Sequence, residues 1–295
     1  MIPFLLFVSI STPHFPHSTA PKKYQDLYPE SAISLAPNVS AEMQQQALIE
    51  LKGYYAHCTA TDKAIGDLIA KMRELGLMEN TIVVFTSDHG EMMGAHGVHP
   101  FAKQLAWDES IRVPFLISYP GMDKNKGLTI KAPISTPDIL PSLLGLARIK
   151  IPKSIEGEDL SELIRSPDVK LDRTVLVMQV CPFATEYSDK EYRGIRTSQY
   201  TYVCSPEKAT MMFDNQKDPY QLDNLAGRSG YENLQVKLDE KLHHALLKIG
   251  DDNFKPRQFY LKKWNLKLNC QDSTYVDYGR FLNGEGEVIT PILEK

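Results

Sequence analysis

The fold class follows from residues 81–103, TIVVFTSDHGEMMGAHGVHPFAK. The stretch begins with a run of β-branched and apolar residues at 81–86, which is typical of a parallel-sheet strand buried on both faces. Asp88 and His89 follow directly, and in open α/β sheets ligands gather beyond the carboxyl ends of the strands. The pattern therefore predicts a site for a metal ion or an anion. The alternative is a polar loop that only caps the strand.

The loop after this strand combines glycines with basic side chains. Its glycines can take positive φ angles, which lets the backbone approach a ligand closely. Basic side chains in the same loop can meet a negative charge: His96, His99 and Lys103. The loop therefore favours an anionic ligand next to the predicted metal ion.

A second apolar run lies near the start of the sequence, at residues 4–10. It lacks the basic residues and the cleavage site of a signal peptide, so a buried strand is the better interpretation. The segment PHFP at 13–16 leaves the carboxyl end of this predicted strand, as Asp88 leaves the other. His14 is therefore a candidate functional residue, although a lone histidine in a loop is more often just solvated.

The motifs resemble, in the same order, those of the sulfatases, which belong to the alkaline-phosphatase-like superfamily. A phrase near the end of the chain also resembles the C-terminal signature of these enzymes. The matching segments are SDHGE at 87–91, GAHG at 94–97, Lys103, WDESIRVP at 107–114, YPG at 119–121 and DPYQLDNLA at 218–226. An ordered series of this length is far more specific than any one short motif.

The resemblance implies a role for each of five residues. Asp88 and His89 correspond to ligands of a divalent metal ion. Calcium is the expected ion because it prefers carboxylate oxygens, while the imidazole also suits manganese. Lys103 and His14 correspond to catalytic residues that contact the sulfate group, and His96 is a candidate substrate-binding residue. The expected partner is a sulfated small molecule or a sulfated glycan.

The same resemblance implies an α/β fold in which helices flank a mostly parallel sheet, followed by a small antiparallel subdomain. Residues 1–166 are expected to form a partial sulfatase catalytic domain and 167–295 the C-terminal subdomain. Local patterns predict a long helix over 40–75 with a buried stripe at 65–75, hairpin strands at 174–180, 192–197 and 200–204, and a helix over 233–249.

The chain lacks the nucleophile that the family uses. That nucleophile is a formylglycine made from the cysteine or serine of a C-x-P-x-R signature. None of the four cysteines has this context. Cys204 comes nearest, in CSPEK, but it has lysine in place of arginine and lies downstream of the metal motif. The Asp-Asp pair of metal ligands is also missing, so the chain is expected to be N-terminally truncated and inactive alone.

Composition excludes several other functions. A formal net charge of −4 gives no basic excess, so nucleic acid is not an expected partner. No apolar stretch is long enough to span a membrane. The cysteines are too sparse for a disulfide scaffold and have no zinc-site spacing. The family resemblance implies an extracytoplasmic location, and the sequence does not specify an oligomeric state.

Two further hypotheses stay open. The first keeps the superfamily but changes the substrate to a phosphate diester or a phosphonate monoester, because an Asp-His pair and manganese also occur among such relatives. The second is a non-catalytic protein that binds sulfated glycans or other partners, with His14, Lys103 and His96 as the candidate anion-binding residues. Rates on matched substrates distinguish the first hypothesis, and sulfate binding without turnover distinguishes the second.

Overall fold

A computed structural model describes residues 3–122, 127–166, 171–180, 191–251 and 254–263. Its helices are α1 (Lys22–Gln25), α2 (Gln44–Glu74), α3 (Asp108–Ile111), α4 (Thr136–Leu146), α5 (Ser161–Arg165), α6 (Glu232–Lys248) and α7 (Arg257–Lys263). Its strands are β1 (Val83–Thr86), β2 (Phe115–Ser118), β3 (Val175–Gln179), β4 (Tyr192–Arg196), β5 (Tyr200–Cys204) and β6 (Ala209–Asp214). None of the described helices has the length and apolar character needed to cross a lipid bilayer.

The described residues divide into two compact units. The first is drawn from Met1–Lys103, Trp107–Lys131 and Thr136–Lys170. The second is drawn from Gln104–Ala106, Ala132–Ser135 and Leu171–Lys295. Every predicted metal, catalytic and substrate-binding residue belongs to the first unit.

Helix α2 confirms the predicted long helix, but its buried face differs from the predicted one. A 3₁₀ turn, Ala41–Met43, precedes it, and Gly76 follows it with a φ of +65°, as a C′ glycine should. The buried residues lie in the first half of the helix: Ala47, Leu51, Gly53, Ala56 and His57. The stripe predicted at 65–75 is wrong, since Leu68 is exposed and Leu75 is 57% exposed. None of the residues at 65–75 is fully buried.

Strand β1 lies where the sequence predicts a strand, but its described pairing is antiparallel. Val83 pairs with Ser118 of β2, and Thr86 pairs with Phe115. None of its four residues is fully buried, which contradicts the expectation of burial on both faces. The α/β fold class itself is confirmed, because helices alternate with or pack beside both described sheets. A parallel neighbour for β1 is not among the described residues.

The predicted strand at residues 4–10 is wrong. This segment is irregular, and the large apolar side chains in it are 44–90% exposed. Its sequence has the composition of a strand, but a strand also needs a hydrogen-bonding partner. The part of the chain that the structure describes offers it none. The segment therefore presents an apolar surface to solvent.

The second unit is a four-stranded antiparallel sheet with a helix packed against it. The order is β3-β4-β5-β6, so the predicted hairpin strands are confirmed and β6 adds a fourth. Helix α6 confirms the helix predicted over 233–249. Its buried leucines, the sheet and Leu225 from the connecting loop form one apolar core: Ile195, Tyr202, Met212, Leu225, Leu238, Leu242 and Leu246.

The DPYQLDNLA phrase has a structural explanation in this unit. The side-chain oxygen of Asn224 accepts a hydrogen bond from the backbone N–H of Met212, and its amide donates to the carbonyl of Thr210. Both partners lie on β6, the edge strand of the sheet. Asn224 thus satisfies backbone groups that an edge strand leaves unpaired.

Candidate active site

The structure brings the two predicted catalytic residues into contact. Lys103 Nζ lies 3.0 Å from Nε2 of His14. His14 Nδ1 lies 2.8 Å from the carbonyl oxygen of Phe15, so Nδ1 carries the proton and Nε2 accepts from the ammonium. His14 is exposed, whereas the Lys103 side chain is only 13% exposed. The pair therefore offers an anchored cation next to a solvent-accessible imidazole.

Glu91 holds the other side of the Lys103 ammonium. Its Oε1 lies 3.4 Å from Lys103 Nζ, and its side chain is almost completely buried. Burial alone would raise the pKa of Glu91, but a hydrogen bond from His17 and the charge of Lys103 outweigh it and lower the pKa. Glu91 is thus ionised at neutral pH, and its negative charge balances the positive charge of the nearly buried Lys103 ammonium.

His17 is a residue that the sequence did not single out. It is 1% exposed and lies between two carboxylates. Its Nδ1 is 2.8 Å from Glu50 Oε2 on α2, and its Nε2 is 3.0 Å from Glu91 Oε2. Burial alone would lower the pKa of His17, but the hydrogen bonds to Glu91 and Glu50 outweigh it and raise the pKa. The sequence offered one indirect indication of a buried basic partner: Glu50 lies three positions from Ala47, on the buried side of α2.

Close packing fixes the position of His17. A Cβ on Gly53 would lie 2.3 Å from the carbonyl oxygen of His17, so only glycine fits at this point of α2. The rings of Tyr54 and Phe101 meet the His17 ring edge to face, with centroids 5.5 and 5.6 Å away. The position of the imidazole is therefore fixed by packing against two aromatic rings as well as by its hydrogen bonds.

Asp88 and His89 lie at the end of β1, as predicted. Asp88 Oδ2 is 3.5 Å from His89 Nε2, and the Asp88 side chain is 82% exposed. Burial would raise the pKa of Asp88, but the hydrogen bond from the backbone N–H of His89 and the charge of the His89 ring outweigh it and lower the pKa. Gly90 brings this turn against α3, because a Cβ there would lie 1.9 Å from the carbonyl oxygen of Glu109.

These two side chains fit a divalent cation as part of a ligand set. His89 Nδ1 lies 2.8 Å from the carbonyl oxygen of Gly90, so the neutral ring keeps a lone pair on Nε2 for a metal ion. The carboxylate of Asp88 offers an oxygen beside it. Within the described ranges no third histidine, cysteine or acidic residue joins them, and calcium takes about 6–8 oxygen ligands. Asp88 and His89 therefore supply at most half of the ligands that such an ion needs.

His96 lies in a separate cluster. Its ring stacks on Trp107 with centroids 3.6 Å apart, and Nε2 lies 3.1 Å from the side-chain nitrogen of Asn38. Nε2 also lies 3.7 Å from Glu109 Oε2, and the side chain is mostly buried. These contacts are those of a packing residue, so a role for His96 in substrate binding stays a prediction.

The thiol of Cys204 does not have the surroundings of a nucleophile. Burial raises its pKa, and the nearby carboxylate of Asp239 acts in the same direction. A reactive cysteine needs the opposite shift, because the thiolate is the attacking species. Cys204 lies on β5 in the second unit, whereas the predicted site residues all belong to the first.

Two family models match the chain. The model named Sulfatase matches residues 2–149. The model named N-sulphoglucosamine sulphohydrolase, C-terminal, matches residues 94–248. The first covers half of the chain and contains every predicted site residue.

Individual relatives agree with these matches. The chain is 59% identical over 290 residues to the Ulvan-active sulfatase of Formosa agariphila, covering 98% of this chain and 56% of that protein. It is 31% identical to the Endo-4-O-sulfatase of Bacteroides thetaiotaomicron, covering 76% of this chain and 47% of that protein. A solved structure from a Bacteroides thetaiotaomicron locus for the metabolism of multiple glycosaminoglycans superimposes with a TM-score of 0.71 at 26% identity, covering 90% of this chain and 56% of that one. The chain thus spans about half the length of the relatives it matches.

Proposed function

Because this chain belongs to the sulfatase family, we propose that it contributes Lys103 and His14 to the hydrolysis of a sulfate monoester. One observation carries the proposal: the two side chains meet at 3.0 Å in the register of the family motifs. The names of the two relatives described above, one active on ulvan and one an Endo-4-O-sulfatase, support a sulfated glycan as the substrate. A sulfated small molecule is the alternative substrate.

Lys103 suits the binding of a sulfate oxygen. An ammonium has three N–H donors. Two of them face His14 Nε2 and Glu91 Oε1, at 3.0 and 3.4 Å. The third donor can bind the anion, and a charge-assisted hydrogen bond of this kind is stronger than one between neutral groups. His14 orients the ammonium through its lone pair and lies beside the bound group.

Asp88 and His89 are proposed to hold a divalent cation through a carboxylate oxygen and Nε2. When bound, such an ion neutralises charge on the sulfate oxygens as a Lewis acid. The carboxylate favours calcium and the imidazole favours manganese. The two residues can supply only part of the coordination shell.

The nucleophile is proposed to come from residues that this sequence does not contain. The 295 residues include no C-x-P-x-R signature, and the formylglycine of the family requires one. The same holds for the Asp-Asp pair of metal ligands. We therefore expect the chain alone to bind sulfate esters without hydrolysing them. Residues 1–166 would belong to the catalytic domain and 167–295 to the C-terminal subdomain of an extracytoplasmic enzyme.

Calorimetry with a sulfated monosaccharide tests the proposal. Lys103→Ala should abolish the heat of binding that the unaltered chain gives, because it removes the cation. Lys22→Ala is the matched control, since Lys22 is an exposed lysine of the same unit. Equal heats for the unaltered chain and Lys103→Ala would refute the proposed anion site.

Turnover assays separate the remaining alternatives. Hydrolysis of an aryl sulfate by the purified chain would overturn the argument about the nucleophile. A faster reaction with an aryl phosphonate monoester would favour the phosphonate hypothesis. Binding of a sulfated glycan without turnover, even after a second polypeptide that carries a C-x-P-x-R signature is added, would favour a non-catalytic binding protein.

A further inference from the structure

We propose that His17, held between Glu50 and Glu91, is a positioning residue that orients Glu91 and thereby keeps the Lys103 ammonium next to His14. The inference rests on the proposed function, since it concerns the same Lys103–His14 pair. It assigns a role in anion binding to residues that lie behind the site and do not contact the substrate.

The first step concerns the protonation of His17. Its two ring nitrogens lie 2.8 and 3.0 Å from carboxylate oxygens of Glu50 and Glu91. An ionised carboxylate only accepts hydrogen bonds, so both ring nitrogens must donate and the ring is an imidazolium. The row Glu50, His17, Glu91 and Lys103 then alternates negative and positive charges and is neutral in sum. Buried charges are tolerated when they are paired and hydrogen-bonded in this way.

The second step concerns the two oxygens of the Glu91 carboxylate, which have different partners. Oε2 accepts from His17 and Oε1 faces Lys103, so each oxygen has its own partner. Rotation of the carboxylate would break the bond to His17. The imidazolium therefore fixes the direction in which Oε1 meets the lysine. Without it, Glu91 is free to rotate and Oε1 loses its fixed place beside the ammonium.

The third step concerns Lys103 itself. A lysine side chain is a point charge on a flexible four-carbon stem, so its position depends on its partners. Glu91 and His14 are the hydrogen-bonding partners described for it, and Phe15 lies beneath its ammonium, 5.3 Å from ring centroid to Nζ. Loss of the Glu91 contact leaves a neutral imidazole and an aromatic ring, which hold an ammonium less firmly than a carboxylate does.

The test compares His17→Gln with Tyr54→Phe. A glutamine amide can donate a hydrogen bond with good geometry to only one of the two carboxylates. Tyr54→Phe keeps the ring packed on His17 and leaves the hydrogen bonds of His17 to Glu50 and Glu91 intact. His17→Gln should weaken binding of a sulfated monosaccharide about tenfold, as expected for loss of a charge-assisted hydrogen bond. Tyr54→Phe should leave the affinity unchanged. An equal loss in both variants would indicate a packing role only and overturn the inference.

The ¹⁵N spectrum of the histidines gives a readout that packing alone would not change. In the unaltered chain at neutral pH, both nitrogens of His17 should have the shifts of an imidazolium, and His14 should be the Nδ1–H tautomer. His17→Gln should reduce the dominance of that tautomer, because the ammonium no longer stays at Nε2. A neutral His17 in the unaltered chain would overturn the inference even if His17→Gln does not fold.

Lys103→Ala separates this inference from the proposed function. If the unaltered chain and Lys103→Ala bind the sugar equally, the proposed function fails. If Lys103→Ala loses binding while folded His17→Gln keeps full affinity and the same His14 tautomer, the proposed function stands and the positioning role fails.

Discussion

Nε2 of His14 accepts a hydrogen bond from Lys103 Nζ at 3.0 Å, although 89 residues separate the two in the sequence. The contact joins a proline-flanked loop near the start of the chain to the loop that follows β1. Because one partner is exposed and the other nearly buried, the ammonium is both anchored and accessible to an anion.

The buried imidazolium predicts a pH-dependent stability. Burial opposes protonation, but Glu91 and Glu50 together raise the pKa of His17 above its ordinary value of 6.5. Its protonated form therefore stabilises the fold fully below that value, and the contribution is lost as pH rises through the folded-state pKa. The melting temperature should fall as the pH rises above 6.5 and through the raised pKa of His17, and the fall should be smaller in His17→Gln. His243→Gln, at an exposed helix position, should follow the unaltered chain. Parallel curves for His17→Gln and the unaltered chain would contradict this prediction.

Gly53 predicts a steric penalty on α2. Gly53→Ala places a Cβ 2.3 Å from the carbonyl oxygen of His17, so the helix or the loop must move. The free energy of unfolding should fall by about 1–3 kcal/mol, measured by urea denaturation. Gly66→Ala is the matched control on the same helix, since open space surrounds it. That change should stabilise the chain by up to about 1 kcal/mol because alanine favours the helix. Similar effects at the two positions would show that the contact with His17 is not the cause.

The second unit contains a buried ion pair whose disruption should be costly. Arg193 Nε lies 2.5 Å from Asp251 Oδ2, and both side chains are completely buried. Asp251→Ala removes the nearer anion of the guanidinium and leaves Glu191 Oε2 at 3.9 Å, so it should lower the free energy of unfolding by about 3 kcal/mol. Asp223→Ala, which breaks the exposed pair with Arg228, should have a much smaller effect. Chemical denaturation followed by circular dichroism measures the free energy of unfolding of both variants. Equal losses would show that burial of the Arg193–Asp251 pair is not the reason for its contribution to stability.

The partial ligand set predicts weak metal binding. We expect calorimetry to detect calcium or manganese only at high concentration, because two residues fill a small part of either coordination shell. Asp88→Asn should reduce the affinity for both ions about tenfold, through loss of the charged oxygen. His89→Gln should affect manganese more than calcium. Asp67→Asn, at an exposed position on α2, should change neither affinity. Unchanged heats in Asp88→Asn would remove Asp88 from the site.

Elements with local signals could be predicted from the sequence. Helices α2 and α6 and the hairpin strands β3 to β5 follow from periodicity and turn residues, which act over a few positions. The pairing of β1 could not be predicted this way, because it depends on which distant strand lies beside it. The same reason explains residues 4–10, whose composition specifies a strand but supplies no partner.

The residues of the candidate site also fall into those that the sequence could predict and those that it could not. His14, Asp88, His89 and Lys103 could be named because they stand in motifs that are contiguous in sequence. The partners of His17 are 33 and 74 residues away, so no local pattern identifies it. His96 stands within a motif as well, yet its ring packs against Trp107. A motif therefore specifies which residues matter, and only the fold specifies what they touch.

The exposed side chains of residues 4–10 have a practical consequence for work in solution. An unpaired segment of this composition can join the same segment of another molecule, edge to edge, as in early aggregates. Light scattering should then increase steeply with protein concentration, and dyes that fluoresce on apolar surfaces should bind at low concentration. Replacing Leu5, which is 90% exposed, with lysine should raise the concentration at which scattering begins. The exposed side chains of residues 4–10 thus limit the concentration at which calorimetry and NMR can be done on this chain.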